Sequence, residues 1–218
     1  MNARNQVWQN NPARSFQKGS AINIVFTPDF QEIVVGLSKK PRKGNFVYKH
    51  PCGQVEECDV PSVFLAPEKL ENATAECCAK RELFRETGIR ENQLLLHHQL
   101  DYVRDFPSGH GRLKQYHFLV MLKEKIELTK DIVEWEEMHP PEYWLVVTAL
   151  KGGGEGKKMN PFHQLALHKC ILQLENSGLG HDKNFPGFGA LLGNIYDAGI
   201  DLGAHAIEIE GKILNGEI

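Results

Sequence analysis

Arg81-Glu82-Leu83-Phe84-Arg85-Glu86-Thr87-Gly88-Ile89 decides how the rest of the chain is read. On a helix at about 100° per residue, Ala75, Ala79 and Leu83 fall on one apolar stripe. Glu82 and Glu86 lie within about 40° of each other, right beside that stripe. Two carboxylates at the rim of a core are costly unless a cation or a hydrogen-bond donor compensates them. Mg²⁺ suits such a pair, because it takes carboxylate oxygens together with water and substrate phosphate. The plainer reading is a solvated helix edge with Arg81 and Arg85 as salt-bridge partners. The helix is expected over Ala73–Thr87, with Asn72 or Thr74 as N-cap and Gly88 as its stop.

Upstream, Ile22, Ile24, Val25 and Phe26 predict a strand, Thr27-Pro28-Asp29 a turn and Ile33-Val34-Val35 a return strand. A basic loop with Lys39, Lys40, Arg42 and Lys43 follows, then a short strand through Phe46-Val47-Tyr48 and the loop Pro51-Cys52-Gly53-Gln54-Val55-Glu56. Downstream, Leu94–Arg104 and Gln115–Lys123 read as strands, and Trp144-Leu145-Val146-Val147 as a compact apolar one. Lys151–Lys158 is rich in glycine, but its spacing is wrong for a phosphate cradle, and a linker is expected. Asn160–Leu174 predicts an amphipathic helix, and the alternating Ile207-Glu208-Ile209-Glu210 a last strand. Residues 1–20 are expected to form a flexible arm and 21–176 the main domain. Residues 177–218 then form a glycine-rich extension packed on the domain or on a partner.

With these segments in place, the chain resembles the Nudix hydrolase family over roughly Ala21–Leu150. That family's box runs G, five residues, E, seven residues, then R-E-U-x-E-E-x-G-U, with U a bulky aliphatic. Arg81, Glu82, Leu83, Glu86, Gly88 and Ile89 match its back half. Pro51-Cys52-Gly53-Gln54-Val55-Glu56 looks like the P-G-G-K-V-E of its front half, and Trp144–Leu150 resembles its W-V-P-x-x-x-L element. The resemblance implies an α/β (α+β) fold, a Nudix-like α/β/α sandwich with a mixed central sheet.

The implied activity is Mg²⁺-dependent (or Mn²⁺-dependent) cleavage of a diphosphate bond in a nucleoside diphosphate linked to another group, by metal-assisted water attack. By the same resemblance Glu82 orients or deprotonates water or binds metal, Glu86 is a metal ligand, and the Cys52 carbonyl is a further ligand. Arg81 braces the box by pairing with acids such as Glu56. Lys39, Arg42 and Arg85 are candidate phosphate contacts, and one of Glu134, Glu136, Glu137 or Glu142 could supply a replacement ligand.

Three departures from the family pattern stand out. Arg85 occupies the place of the first glutamate of the E-E pair, a change of two charge units beside Glu82 and Glu86 that should weaken divalent metal binding. The segment Glu57–Leu70 is extra, and Ala73 rather than a glutamate stands eight residues before Arg81. Cys52 replaces a glycine, which implies strain if the position needs φ > 0. Arg85 therefore leaves two functions open. One is a hydrolase with an altered metal site; the other is a catalytically impaired nucleotide-binding or protein-interaction module.

The bulk numbers fit either reading. At 218 residues, with 41% hydrophobic and 24% charged residues, the chain can bury a sizeable core unaided. A formal net charge of -3 gives no footprint for a nucleic-acid polymer, while a small nucleotide needs only a few local cations. The five cysteines include no CxxC pair, and reduced thiols in a cytoplasmic setting are expected. His97, His98, His110, His117, His163 and His168 lack zinc spacing. Met1–Pro28 has basic but no acidic residues, faintly like a transit peptide, yet the strand from Ala21 leaves little to cleave. No apolar run reaches bilayer length. A homodimer, built by adding the Ile207–Glu210 strand to a second copy, is a further expectation.

Overall fold

The computed structural model describes residues 19–37, 47–62, 65–108, 111–128, 140–178, 185 and 187–217, without the side chains of 106–108 and 111–113. Lys39, Arg42, Glu134, Glu136, Glu137, His110 and nearly all of the N-terminal arm lie outside them.

Strand β1 (Gly19–Phe26) is the axis of the molecule. Ile22, Ile24 and Phe26 pack into one apolar cluster, Ala21 and Val25 into another. Alternate residues of a strand point to opposite faces, so a nearly continuous apolar run means both faces are covered. β1 runs parallel to β6 (Gly111–Leu122), with Gly19–Phe26 in register with Lys114–Met121. It runs antiparallel to β2 (Glu32–Leu37) and β4 (Cys52–Gln54). β3 (Tyr48–Lys49) and β7 (Glu142–Leu145) both pair β2, and β5 (Leu94–Ser108) pairs β6 with register shifts. The result is a seven-stranded mixed sheet.

Helix α1 (Pro67–Thr87) covers one face. Its small residues Ala75, Cys78 and Ala79 are buried and bring it close to Val25, Val34 and Phe118. It starts six residues before the expected Ala73: Pro67 sits at the first turn, where its missing N–H costs nothing, and neither Asn72 nor Thr74 is a cap. The extra segment is thus partly helix, preceded by a 3₁₀ turn at Glu57–Asp59. Gly88 ends α1 at φ 75, a left-handed conformation suited to glycine, and donates its N–H to the Phe84 carbonyl.

The other face carries α2 (Val146–Leu150), α3 (Pro161–Asn176) and α4 (Phe188–Asp197), whose Ala149, Ala166, Ile171, Phe188 and Leu191 join Ile24 and Phe26. Helices on both faces of a mixed sheet make the α/β/α sandwich expected. Asn160 caps α3 by accepting the Phe162 N–H at 2.9 Å.

Three local expectations are corrected. Trp144 and Leu145 end β7, but Val146 and Val147 open α2, because Val146, Ala149 and Leu150 bury a helical rather than an alternating set. Lys151–Lys158 is a small hairpin, β8 (Gly153–Gly154) paired with β9 (Lys157–Lys158), not a bare linker. Ile207–Glu210 is no strand but part of α5 (Leu202–Leu214). Asp201 caps α5 by accepting the Ala204 N–H, and Ala206 and Ile209 pack on Leu165 with Ile213 beside them. Strand addition to a second copy therefore loses its structural basis. No described helix is long and apolar enough to cross a membrane, and the five cysteines are unpaired thiols.

Candidate functional site

α1 and the Cys52–Gln54 strand meet at the carboxylates. Gly53 is the reason they can: a Cβ there would lie 2.2 Å from Glu82 Cδ and 2.5 Å from Glu82 Cγ. Asn23 of β1 ties the two pieces together. Its backbone N–H donates to the Pro51 carbonyl at 2.8 Å, and its buried side-chain Nδ2 donates to the Ala79 carbonyl at 2.9 Å.

Glu86 faces the loop. Its Oε2 accepts the Cys52 backbone N–H at 2.6 Å, and its Oε1 accepts from Lys49 Nζ at 3.2 Å. Burial pushes the Glu86 carboxyl up to about 7, against the opposing pull of Lys49 and the Cys52 amide. Lys49 also donates to Cys52 Sγ at 3.6 Å. Burial alone would lower the Lys49 ammonium, but Cys52 and Glu86 outweigh it and raise it. The Cys52 thiol is itself pushed up to about 11 by burial, so it is held as a thiol.

Glu82 is buried and paired with both arginines of the helix. Arg81 Nη1 donates to its Oε1, and Arg85 Nη1 donates to the same oxygen at 3.3 Å. Arg85 also donates to Glu56 Oε1 at 3.1 Å, so its guanidinium bridges helix and loop. Burial still raises the Glu82 carboxyl above its ordinary range, despite Arg81 and Arg85.

Arg81 acts as the brace expected, though chiefly on a different acid. Its Nε and Nη2 donate to the two oxygens of buried Asp59 at 2.7 and 2.9 Å, a bidentate pair. Contacts to Glu56 at 3.2 Å and to the Gln54 carbonyl at 2.9 Å complete the fork. The extra segment thus supplies the main partner of Arg81.

Glu82, Glu86, Arg81, Arg85 and Cys52 come together as the sequence predicts. Lys49, Asp59 and Asn23 are partners that sequence reasoning missed. Asp59 and Lys49 look like ordinary surface charges, and Asn23 is a single polar residue in an apolar strand, which was the only signal available. Cys52 needs no special backbone: Phe30 and Glu155 are the only described non-glycine residues with positive φ. The implied strain is therefore absent, and the Cys52 N–H is what meets Glu86. Glu142 is engaged elsewhere, accepting from Trp144 Nε1 at 2.8 Å and from Lys157 Nζ at 2.8 and 3.0 Å.

A family profile described as the NUDIX domain matches residues 17–162. The chain belongs to the NUDIX family. The NUDIX domain of Shewanella oneidensis NrtR complexed with ADP ribose is 13% identical, with a TM-score of 0.50 over 80% of this chain and 99% of that one. The E. coli dihydroneopterin triphosphate pyrophosphohydrolase is 14% identical (TM-score 0.48; 71% of this chain, 95% of that one). A C. elegans Ap4A hydrolase binary complex is 15% identical (TM-score 0.46; 72% and 98%). At these identities the likeness is one of fold. No curated protein matches the chain in sequence.

NUDIX membership raises the question of whether these residues fit a divalent cation. Mg²⁺ wants several oxygen donors in near-octahedral array. Here Glu82 carries two guanidinium groups, Glu86 carries an ammonium and a backbone amide, and Arg85 fills the gap between Glu56 and Glu82. Among the described residues, no three His, Cys, Asp or Glu side chains form a group able to hold a metal ion. The donor set does not fit the metal cluster that the family box implies.

Proposed function

We propose that this NUDIX domain is a receptor for a nucleoside diphosphate linked to another group, with metal-dependent hydrolysis suppressed. One observation carries the reading: the Arg85 guanidinium spans Glu56 and Glu82 at 3.1 and 3.3 Å, a position that would otherwise concentrate negative charge. A guanidinium can meet phosphate oxygens bidentately, so the same group that displaces a cation can face a diphosphate. The Lys49 ammonium holds Glu86 in the same way, at 3.2 Å. The NrtR domain, which resembles this chain in fold, is complexed with ADP ribose, and this makes ADP-ribose the first probe.

A second reading, a Mg²⁺- or Mn²⁺-dependent pyrophosphohydrolase with an atypical site, is favoured by the presence of Glu82 beside Gly53 and Glu86 beside Cys52. In that case no step can be assigned to a metal from the present donor set, and a ligand or substrate must first displace Arg85.

Calorimetry with ADP-ribose, in Mg²⁺ and then in EDTA, separates the two. Chelator-indifferent binding without release of product is expected, with Arg85→Glu gaining Mg²⁺-dependent hydrolysis. Turnover by the wild-type protein that requires Mg²⁺ and vanishes in Glu86→Gln would overturn the receptor reading and establish the hydrolase.

A further inference from the structure

Lys49 meets Glu86 from a strand of only two residues, Tyr48–Lys49. β2 pairs this strand, and the N-terminus of α3 holds it as well. The Tyr48 carbonyl accepts the Asn160 N–H at 2.8 Å, and Tyr48 forms an isolated parallel bridge with Met159. One residue past Lys49, the buried His50 N–H donates to Nδ1 of His163 at 3.1 Å. Asn160 is itself fixed as the cap of α3, and the Tyr48 ring lies 4.4 Å from that of Trp144.

Side chains alternate along an extended strand: the Tyr48 ring packs on the apolar cluster of the α3 face and the His50 ring lies 5.7 Å from that of His163, so Lys49 between them points the opposite way. That way lie Cys52 Sγ and Glu86. Two residues after His50, the Cys52 N–H completes the cradle of Glu86. Because the His163 ring accepts at Nδ1, its proton sits on Nε2, and its burial, reinforced by nearby His50 and Lys49, keeps it neutral.

We infer that His163 is a positioning residue: through the His50 N–H it sets where the Lys49 ammonium and the Cys52 amide meet Glu86. The link to ligand affinity rests on the receptor reading above; the link to the geometry of Glu86 does not.

The test is solution NMR with three forms of the full chain. In the wild type, His163 Nδ1 should carry no proton; an Nδ1-protonated ring overturns the inference. The Cys52 amide proton, in a short bond to a carboxylate, should resonate far downfield. H163N keeps an acceptor near the place of Nδ1 and should preserve that resonance, whereas H163L should move it upfield and weaken ADP-ribose binding by roughly tenfold. A folded H163L with the Cys52 resonance unmoved overturns the inference. Should H163L fail to fold, a folded H163N that has lost the resonance overturns it, and one that keeps it supports it. If the wild type does not bind ADP-ribose at all, the receptor reading fails, and the Cys52 resonance still decides the role of His163.

Discussion

The carboxylate of Glu86 lies 2.6 Å from the backbone nitrogen of Cys52, across 34 residues of sequence. This contact closes the box helix onto its loop, and it does so with a group that burial pushes up to about 7. A carboxyl whose folded value lies above its ordinary 4.5 contributes stability that is complete below 4.5 and is lost as pH rises through about 7. Glu86→Gln keeps an acceptor for Cys52 and abolishes the titration. The unfolding free energy of the wild type relative to Glu86→Gln should therefore fall between pH 4.5 and 7.5 in urea denaturation. A difference that stays flat or grows across that window would mean that Lys49 more than compensates the burial.

Gly53→Ala tests how tightly loop and helix meet. The new methyl would fall 2.2 Å from Glu82 Cδ, and Glu82 is buried between Arg81 and Arg85 with little room to swing. A loss of about 1–3 kcal/mol is expected, the usual cost of overpacking. Diffraction from the variant should show Glu82 displaced from Arg85. A variant as stable as the wild type, with Glu82 in place, would contradict the close approach.

His50, His117 and His163 are buried and held neutral, chiefly by burial, with His50 pushed down to about 3 and His117 to about 4. In the unfolded chain they titrate near 6.5, so the unfolded state takes up protons that the folded state refuses, and their contribution is lost as pH falls from 6.5 toward 4. His117 stacks on Tyr102 and bonds the Tyr102 carbonyl through Nδ1. His117→Gln removes one such group. Its stability should fall less steeply than that of the wild type between pH 6.5 and 4.5, whatever its absolute value. Parallel pH profiles would show that His117 is protonated in the folded protein.

The C-terminal helix can be tested by charge placement. Ile209 is 7% exposed against α3, whereas Ile207 is 72% exposed. Ile209→Asp should cost about 2–4 kcal/mol by burying a carboxylate without a partner, and Ile207→Asp within about 0.5 kcal/mol. Equal effects would restore the strand reading, in which both isoleucines share one face.

That strand reading shows where sequence patterning stops. Ile207-Glu208-Ile209-Glu210 alternates perfectly, yet four residues fit either period, and the longer set Leu202, Ala206 and Ile209 decides for helix because α3 offers it a surface. The strand expected over Trp144–Val147 holds for Trp144 and Leu145 and gives way to helix at Val146 for the same reason. Arg81, Glu82, Arg85, Glu86 and Cys52, singled out by their resemblance to a box that spans one helix and one loop, lie together in the structure because that box is a local pattern. Their partners Asp59, Lys49 and His163 follow no period at all.

The order of amino acids by itself determined that Ile22–Phe26 form a strand, that a helix ends at Gly88, and that two glutamates share its edge with an arginine between them. These are consequences of alternation, helical periodicity and backbone freedom, which act within a few residues. Tertiary structure alone decided which charge answers which. Asp59 reaches Arg81 across 22 residues and Lys49 reaches Glu86 across 37. His163 holds the His50 N–H across 113. Electrostatic pairing depends on distance in space and on exclusion of water, and neither exists until the sheet and its two helical layers have closed.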